Sequence, residues 1–365
     1  MNIGIPKERR PFEYRVGLSP AGVEILGQHG HTCYVEHDAG VGAGFSDQEY
    51  ERVGARIVYS AEEVFGRADF LHKVARPLKE ELEWLPTSST LAGMLHFASA
   101  RQEKIDILLQ KKITAIAYEQ IQLPDGSLPV LRPFSMIGGS MAAQVAARLL
   151  QSNLGGKGIL LGGIPGVPPA EVVVLGAGVA GTYATRAFVG WGAHVTVLDI
   201  DLNPLQRIVE RCPMIVSMIA TQRNIERVCS YADVLVAAVL VPGERTPILV
   251  RRETVRAMKP RSVIIDMDID QGGCIETARP TTHDQPTYID EGITHYCVPN
   301  MPGVVARTAT HAFVNAVMLF TLDIADHGIE SAMASNPAIA AAVNTHAGEM
   351  RRLSHLGGGG VYGLE

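Results

Sequence analysis

The stretch Glu171-Val-Val-Val-Leu175 runs directly into Gly176-Ala-Gly178-Val-Ala-Gly181. The apolar run reads as a buried strand, and the glycines that follow have the spacing G-x-G-x-x-G. Gly176 permits the tight turn, Gly178 lets the backbone approach a pyrophosphate, and Gly181 lets the ensuing helix pack closely on the strand. The amino terminus of that helix then meets the phosphate charge. The next strand pattern, residues 194–198, ends in Asp199, at the distance of about 20 residues that the fingerprint requires. A carboxylate there accepts from the adenosine ribose hydroxyls and repels a 2′-phosphate, so the reading is NAD rather than NADP.

Outward from the fingerprint, the same alternation repeats. EVVVLGAG, AHVTVLDI, DVLVAAVL, SVIIDMDI and HYCVPN are strand patterns separated by plausible crossovers, which predicts a parallel sheet over residues 131–305. Before it, strand patterns at residues 3–5, 32–36, 56–58, 69–74, 90–95 and 114–118 alternate with helical ones, the first helix opening at Ser19-Pro20. Residues 140–151, SMAAQVAARLLQ, read as a connecting helix, and 155–169 are too rich in glycine and proline for a regular element. The apolar helix predicted over 308–327 returns to the first domain, followed by alanine-rich helical sequence and a flexible tail, LGGGGVYGLE. The expected fold is α/β, with two Rossmann-like doubly wound parallel-sheet domains. One is discontinuous, residues 1–130 plus 306–365, and carries substrate; the other, 131–305, binds NAD.

Composition agrees with two domains and excludes several partners. The 365 residues are 47% apolar and 19% charged, long enough for two cores. Lysine and arginine total 32 against 38 acidic residues, a net charge of -6, so no basic field exists to hold nucleic acid or anionic lipid. Cys33, Cys212, Cys229, Cys274 and Cys297 show no metal-binding spacing, and no metal site is expected. MNIGIPKERR enters a strand pattern without the cationic and apolar regions of a signal peptide, so none is expected, and the longest clean apolar run, 234–242, is far short of the roughly 18 residues a membrane span needs. A cytoplasmic protein acting on a small molecule is the expectation.

Specific stretches then identify a relationship. IGIPKE at 3–8, RVGLSPAGV at 15–23, GHTCYVEHDAGVGAGFSDQEY at 30–50, LH at 95–96, AYE at 117–119, GGIPGVPPAEVVVLGAGVAG at 162–181, AAVLVPG at 237–243, DQGGCIETARPTTHDQPTY at 270–288 and NMPG at 300–303 resemble the alanine dehydrogenase family. That family also includes the NAD-binding subunit of proton-translocating transhydrogenase. The lack of a membrane span and the persistence of the likeness through DQGG and NMPG favour the dehydrogenase branch. The resemblance implies two domains flanking a cleft, oxidation of L-alanine to pyruvate and ammonia with NAD, and a homo-oligomer, commonly a hexamer, with a dimer as the alternative. It implies Arg15 as the substrate-carboxylate ligand, His96 as general acid/base and Asp270 as the carboxylate completing the site. A guanidinium fork matches a carboxylate, and an imidazole can take the proton released as amine becomes imine. On the cofactor side it implies Ser135, Asp199, Val239, Leu240, Met267, Asp268, Ile269, Asp270, Arg279, Val298, Asn300 and Met301, beside the glycines.

The chain departs from the family in three places. Where the family usually reads lysine, valine, lysine, glutamate, proline, this chain has Lys73-Val74-Ala75-Arg76-Pro77. The second lysine, which holds the keto-acid part of the substrate, is therefore Ala75, leaving Lys73 and Arg76 as candidate replacements. On a strand Lys73 shares the face of Ala75 about 7 Å away, while Arg76 points to the opposite face unless the strand ends there. Asp268 replaces a small apolar residue, and on an extended strand Asp266, Asp268 and Asp270 would face one way, raise one another's pKa and attract a cation. Residues 135–140, SMIGGS, replace a stretch that usually holds a glutamate and an arginine. These changes predict either an ordinary alanine dehydrogenase in which Arg76 or Lys73 swings in, or a substrate altered toward a bulkier or amine-bearing amino acid or an imine. Two alternatives stand beside it: an opine- or saccharopine-type imine reductase joining an amine to a 2-oxo acid, and a catalytically impaired NAD-binding homologue.

Overall fold

The computed structural model describes residues 1–97, 100–239 and 246–351. The chain forms two compact units, Met1–Phe134 with Gly303–Glu365, and Ser135–Pro302.

In the first unit, β1 (Asn2–Ile5), β2 (Thr32–Glu36), β3 (Arg56–Val58), β4 (Phe70–Ala75), β5 (Thr90–Met94) and β6 (Thr114–Ala117) run parallel in the order β6-β5-β4-β1-β2-β3. This is a doubly wound sheet whose topological switch falls between β1 and β4. The central strands are buried along nearly their whole length, as sheets covered by helices on both faces require. The helix Pro20–Gln28 starts where its sequence directs, with the Ser19 hydroxyl accepting from the Gly22 N–H and proline in the first turn.

The second unit repeats the design. β7 (Glu171–Leu175), β8 (His194–Asp199), β9 (Val216–Ile219), β10 (Val234–Ala237), β11 (Val263–Asp266), β12 (Thr287–Asp290) and β13 (Ile293–Tyr296) lie in the order β12-β13-β11-β10-β7-β8-β9. The switch here falls between β7 and β10. β12 pairs antiparallel with β13 through a two-residue turn, Glu291-Gly292, in which both residues have positive φ (51° and 75°). Sequence patterning passes over β12 and β9 because both are edge strands with little buried surface. The helix expected over 140–151 runs instead from Leu131 to Leu149, since Pro133 sits in its first turn, where a missing N–H is tolerated. Residues 155–169 contain no regular element, as expected, apart from an isolated bridge between Ile164 and Val167.

The chain then returns to the first unit. The helix Ala306–His327 is followed by Ile329–Ser335 and Pro337–Ala342, and then by β14 (Val343–His346) and β15 (Glu349–Met350). β14 pairs antiparallel with β6, and β15 with β14, extending the sheet to eight strands. The sequence predicts only helix after residue 327. β14 exists because of a non-local pairing, with the Thr345 hydroxyl donating to the Ile113 carbonyl. Both sheets therefore carry antiparallel edges on parallel cores. The tail LGGGGVYGLE lies outside the described residues.

The stretch Met301–His327 is long and apolar enough to cross a membrane by length and composition, with 50% of its most apolar window buried. Arg307, Asp323 and Asp326 interrupt it, so no long clean apolar run marks it in the sequence. In the fold Ala309, Phe313, Val317, Thr321 and Ile324 form its buried face, and the Thr321 hydroxyl bonds with His72 and Tyr118. Phe313 is fully buried, with ring centroids 5.7 Å from His72 and 5.9 Å from both Tyr118 and Phe134. Phe313→Ala should reduce unfolding free energy by about 3–5 kcal/mol, as large-to-small aromatic substitutions in cores do; chemical denaturation measures it.

Candidate active site

The second unit places the fingerprint at the carboxyl edge of its sheet. Gly176 directly follows β7 with φ +97°, and a Cβ there would collide with the carbonyl of Ala238, the residue after β10. A Cβ on Gly181 would collide with the Gly176 carbonyl. At Gly178 nothing lies within 4 Å of the Cβ position, so this face is open. Gly178 is also the N-cap of the helix Val179–Gly190, and no side chain caps its first N–H groups. Open approach and uncapped amides at a helix start suit a pyrophosphate. Asp199 closes β8 with one oxygen accepting from the Ala177 N–H at 2.7 Å and the other from the Asp201 N–H at 3.0 Å. It remains only part-buried, with lone pairs left for a ribose diol. These residues fit a dinucleotide.

The other expected cofactor residues fall mostly at the ends of successive strands. Val239 follows β10, Met267 to Asp270 follow β11, and Val298 to Met301 follow β13. Asn300 has φ +56°, and Val298 and Met301 are buried. Arg279 lies elsewhere, in the connection to β12, with its guanidinium 4.2 Å over the Tyr288 ring. Ser135 lies part-buried in the helix Leu131–Leu149. Leu240 lies outside the described residues. Sequence reasoning overlooked Gly138 and Gly139: a Cβ at Gly139 would strike the Ala180 carbonyl, and one at Gly138 would come within 3.2 Å of Met267 Cε. Gly139 in SMIGGS thus lets its helix press against the start of the fingerprint helix.

The aspartates depart from expectation. β11 stops at Asp266, the chain turns so that the Asp268 N–H donates to Asp266 at 3.0 Å, and Ile269–Gln271 form a 3-10 turn. The three side chains therefore do not share one strand face, and Asp270 is exposed. Nor do they form a cation site: among the described residues, the grouping with donor atoms all within 4.8 Å of one another is His37, Asp38 and Asp47. Both buried aspartates are shifted, and the Asp266 charge acts on Asp268. Burial, with Asp270 nearby, pushes Asp266 up to about 7 despite backbone N–H donors. Burial and then the Asp266 charge push Asp268 well above the carboxylate range, against the Val239 N–H that donates to it at 2.5 Å.

In the first unit the corresponding edge carries Glu8 beyond β1, Arg76 beyond β4, His96 beyond β5 and Glu119 beyond β6. Arg15 is buried, its Nε and Nη2 donating to the two Glu13 oxygens at 2.6 and 2.5 Å, with the guanidinium 4.9 Å over the Phe134 ring. Lys73 corrects its expected role. It is 1% exposed and held between Glu8 at 3.1 Å and Glu81 at 3.0 Å, so its charge is consumed inside the fold and cannot reach a substrate. Arg76 lies beyond the end of β4, is released from strand alternation, and donates from Nη1 to the His96 carbonyl at 3.0 Å. Burial and then the adjacent Arg10 bring its pKa down to about 10, with Glu119 opposing. His96 has φ +44° and an exposed side chain, and Glu119 accepts the N–H groups of Leu95 and His96 at 3.0 and 2.6 Å. Glu119 was visible beforehand only as part of the AYE stretch; nothing local assigns it to His96.

Two Rossmann-like units, one bearing a dinucleotide fingerprint, define the class. The model for "Alanine dehydrogenase/PNT, N-terminal domain" matches residues 4–138, and that for the C-terminal domain matches 142–352. The chain belongs to the alanine dehydrogenase/PNT family. It is 46% identical to an alanine dehydrogenase of Methanococcus maripaludis over 96% of this chain and 94% of that one. A solved L-alanine dehydrogenase superposes with a TM-score of 0.93 at 43% identity, covering 96% of both chains. A transhydrogenase from Sinorhizobium meliloti superposes at 0.82 with 26% identity, covering 96% of this chain and 98% of that one.

Two outcomes test this geometry. Gly181→Ala should destabilise the protein by about 2 kcal/mol or more, because backbone must move to admit the methyl group. Gly178→Ala should leave thermal stability nearly unchanged while weakening dinucleotide binding at least tenfold in calorimetry. The aspartate pair gives a pH signature. Between about pH 4 and about 7 the folded protein keeps a proton on Asp266 that the unfolded chain has lost, so stability falls as pH rises across that window. The folded protein also holds a proton on Asp268, so Asp268→Asn, which ionises in neither state, should have a thermal midpoint above the wild type's at about pH 8 by roughly 2–4 °C and match it near pH 3, where the unfolded Asp268 is protonated as well.

Proposed function

We propose that this chain is an NAD-dependent amino-acid dehydrogenase that converts L-alanine, NAD and water to pyruvate, ammonia and NADH. The observation that carries the reading is the likeness to alanine dehydrogenases over 96% of this chain. Gly176, Gly178 and Gly181 with the start of the Val179–Gly190 helix receive the pyrophosphate, and Asp199 receives the adenosine ribose. Val239, Met267, Asp268, Ile269, Val298, Asn300 and Met301, at the strand ends, surround the nicotinamide half, with Ser135 and Arg279 contributing from outside that edge. Bound NAD supplies the hydride acceptor. Arg15 takes the substrate carboxylate: Glu13 occupies its Nε and Nη2, which leaves Nη1 to donate. His96 holds and releases the proton at the amino nitrogen and at the attacking water, and Asp270 completes the site. Five free buried cysteines support a reducing, cytoplasmic setting, and a homo-oligomer is the assembly we propose.

The test is NADH formation by the purified protein. L-alanine should support turnover with NAD at least tenfold faster than with NADP, and His96→Ala should reduce it at least a hundredfold, the usual scale of general acid/base catalysis. The reading fails if L-alanine gives no NADH, or if NADH is consumed only when a keto acid is supplied with a primary amine other than ammonia.

A further inference from the structure

We propose that Glu119 and Arg76 are positioning residues that together clamp the main chain of His96. The proposal rests on the reading of His96 as general acid/base. His96 is a non-glycine residue at φ +44°, a conformation that persists only when its surroundings enforce it. Both neighbouring strands supply that enforcement. From the end of β6, the two oxygens of the buried Glu119 carboxylate each take one N–H of the turn, Leu95 at 3.0 Å and His96 at 2.6 Å. From the end of β4, Arg76 Nη1 donates to the carbonyl of His96 at 3.0 Å. The peptide groups on both sides of the His96 Cα are thus held by charged side chains, and such bonds are shorter and stronger than neutral ones.

The hydrogen bonds of the clamp are to the backbone, while Glu119 faces the ring at ion-pair distance. His96 Nδ1 lies 3.7 Å from Glu119 Oε1, beyond hydrogen-bond range, and the imidazole projects outward with 56% of its side chain exposed. Fixing φ and ψ at His96 aims the Cα–Cβ bond while leaving the ring accessible. A carboxylate is the suitable cap because the turn presents two donors: a glutamine side chain offers one acceptor oxygen and turns an NH2 group toward the second N–H. Arg76 is itself steadied, since Arg10 Nε donates to its carbonyl at 2.9 Å and Glu119 offsets its charge. Arg76 therefore serves the reaction through His96, although its place next to Ala75 suggests a substrate ligand.

The experiment compares Glu119→Gln, Arg76→Met, Arg76→Lys and His96→Ala in the intact protein, with steady-state kinetics and amide NMR of the turn. The expected result is that Glu119→Gln and Arg76→Met each lower kcat for L-alanine tenfold or more with KM within threefold of wild type. Arg76→Lys should recover at least half of that loss. The Leu95 and His96 amide proton resonances should move upfield in Glu119→Gln, reporting loss of the charged acceptor. If His96→Ala keeps wild-type kcat, the reading of His96 fails whatever the clamp does. If His96→Ala is inactive but Glu119→Gln and Arg76→Met keep wild-type kcat, or if Arg76→Met raises KM alone, the clamp is overturned. Should Glu119→Gln not fold, the kcat and KM of Arg76→Met decide.

Discussion

Parallel strands end together on one edge, and N–H groups at or just past those ends lack ladder partners there. In this protein buried or part-buried carboxylates take them. Glu36 accepts from Lys7, Glu8 from Val74 and Ala75, and Glu119 from Leu95 and His96. In the second unit Asp199 accepts from Ala177, Asp268 from Val239, and Asp266 from Asp268. Each bond replaces a lost backbone acceptor with a carboxyl oxygen, and each fixes the direction in which the chain leaves the sheet. The positions proposed for chemistry are set by these capped exits.

A buried carboxylate needs a counter-charge or a proton, and the exits of β1 and β11 differ in which they use. The first unit supplies cations: Lys73 lies between Glu8 and Glu81, Arg9 reaches Glu36 and Glu81, and Arg15 is paired with Glu13. Removing one member of such a network strands a charge in a dry interior, which costs more than the pair itself contributes. In the second unit, among the described residues, no ion pair reaches Asp266 or Asp268, and the response is a raised pKa instead. Similar strand ends are thus ion-paired beyond β1 and proton-holding beyond β11.

Much of the fold was legible because it rests on local chemistry. The apolar run at residues 171–175, the three glycines, the Ser19-Pro20 helix start and the boundaries of β2 and β3 follow from short-range rules, and the structure agrees with them. What escaped detection was decided at a distance. β14 is a strand because β6 offers an edge to it, and β12 because Glu291-Gly292 folds it back on β13. The candidate site divides in the same way. The fingerprint and Asp199 were readable in place, whereas the roles of Lys73 and Glu119 depended on partners from other strands and helices.

The sequence by itself determined the α/β class, the dinucleotide fingerprint and the family resemblance, because each is carried by residue types at short fixed spacing. Only the tertiary structure decided which cation remains near His96. Lys73 and Arg76 are three residues apart, and patterning favours the lysine, which shares the face of Ala75. Yet Glu8 and Glu81 enclose Lys73, while the end of β4 at Ala75 frees Arg76 to turn toward the His96 carbonyl. The physical reason is that a charge's role depends on where its nearest opposite charges lie, and those come from segments far away in the chain.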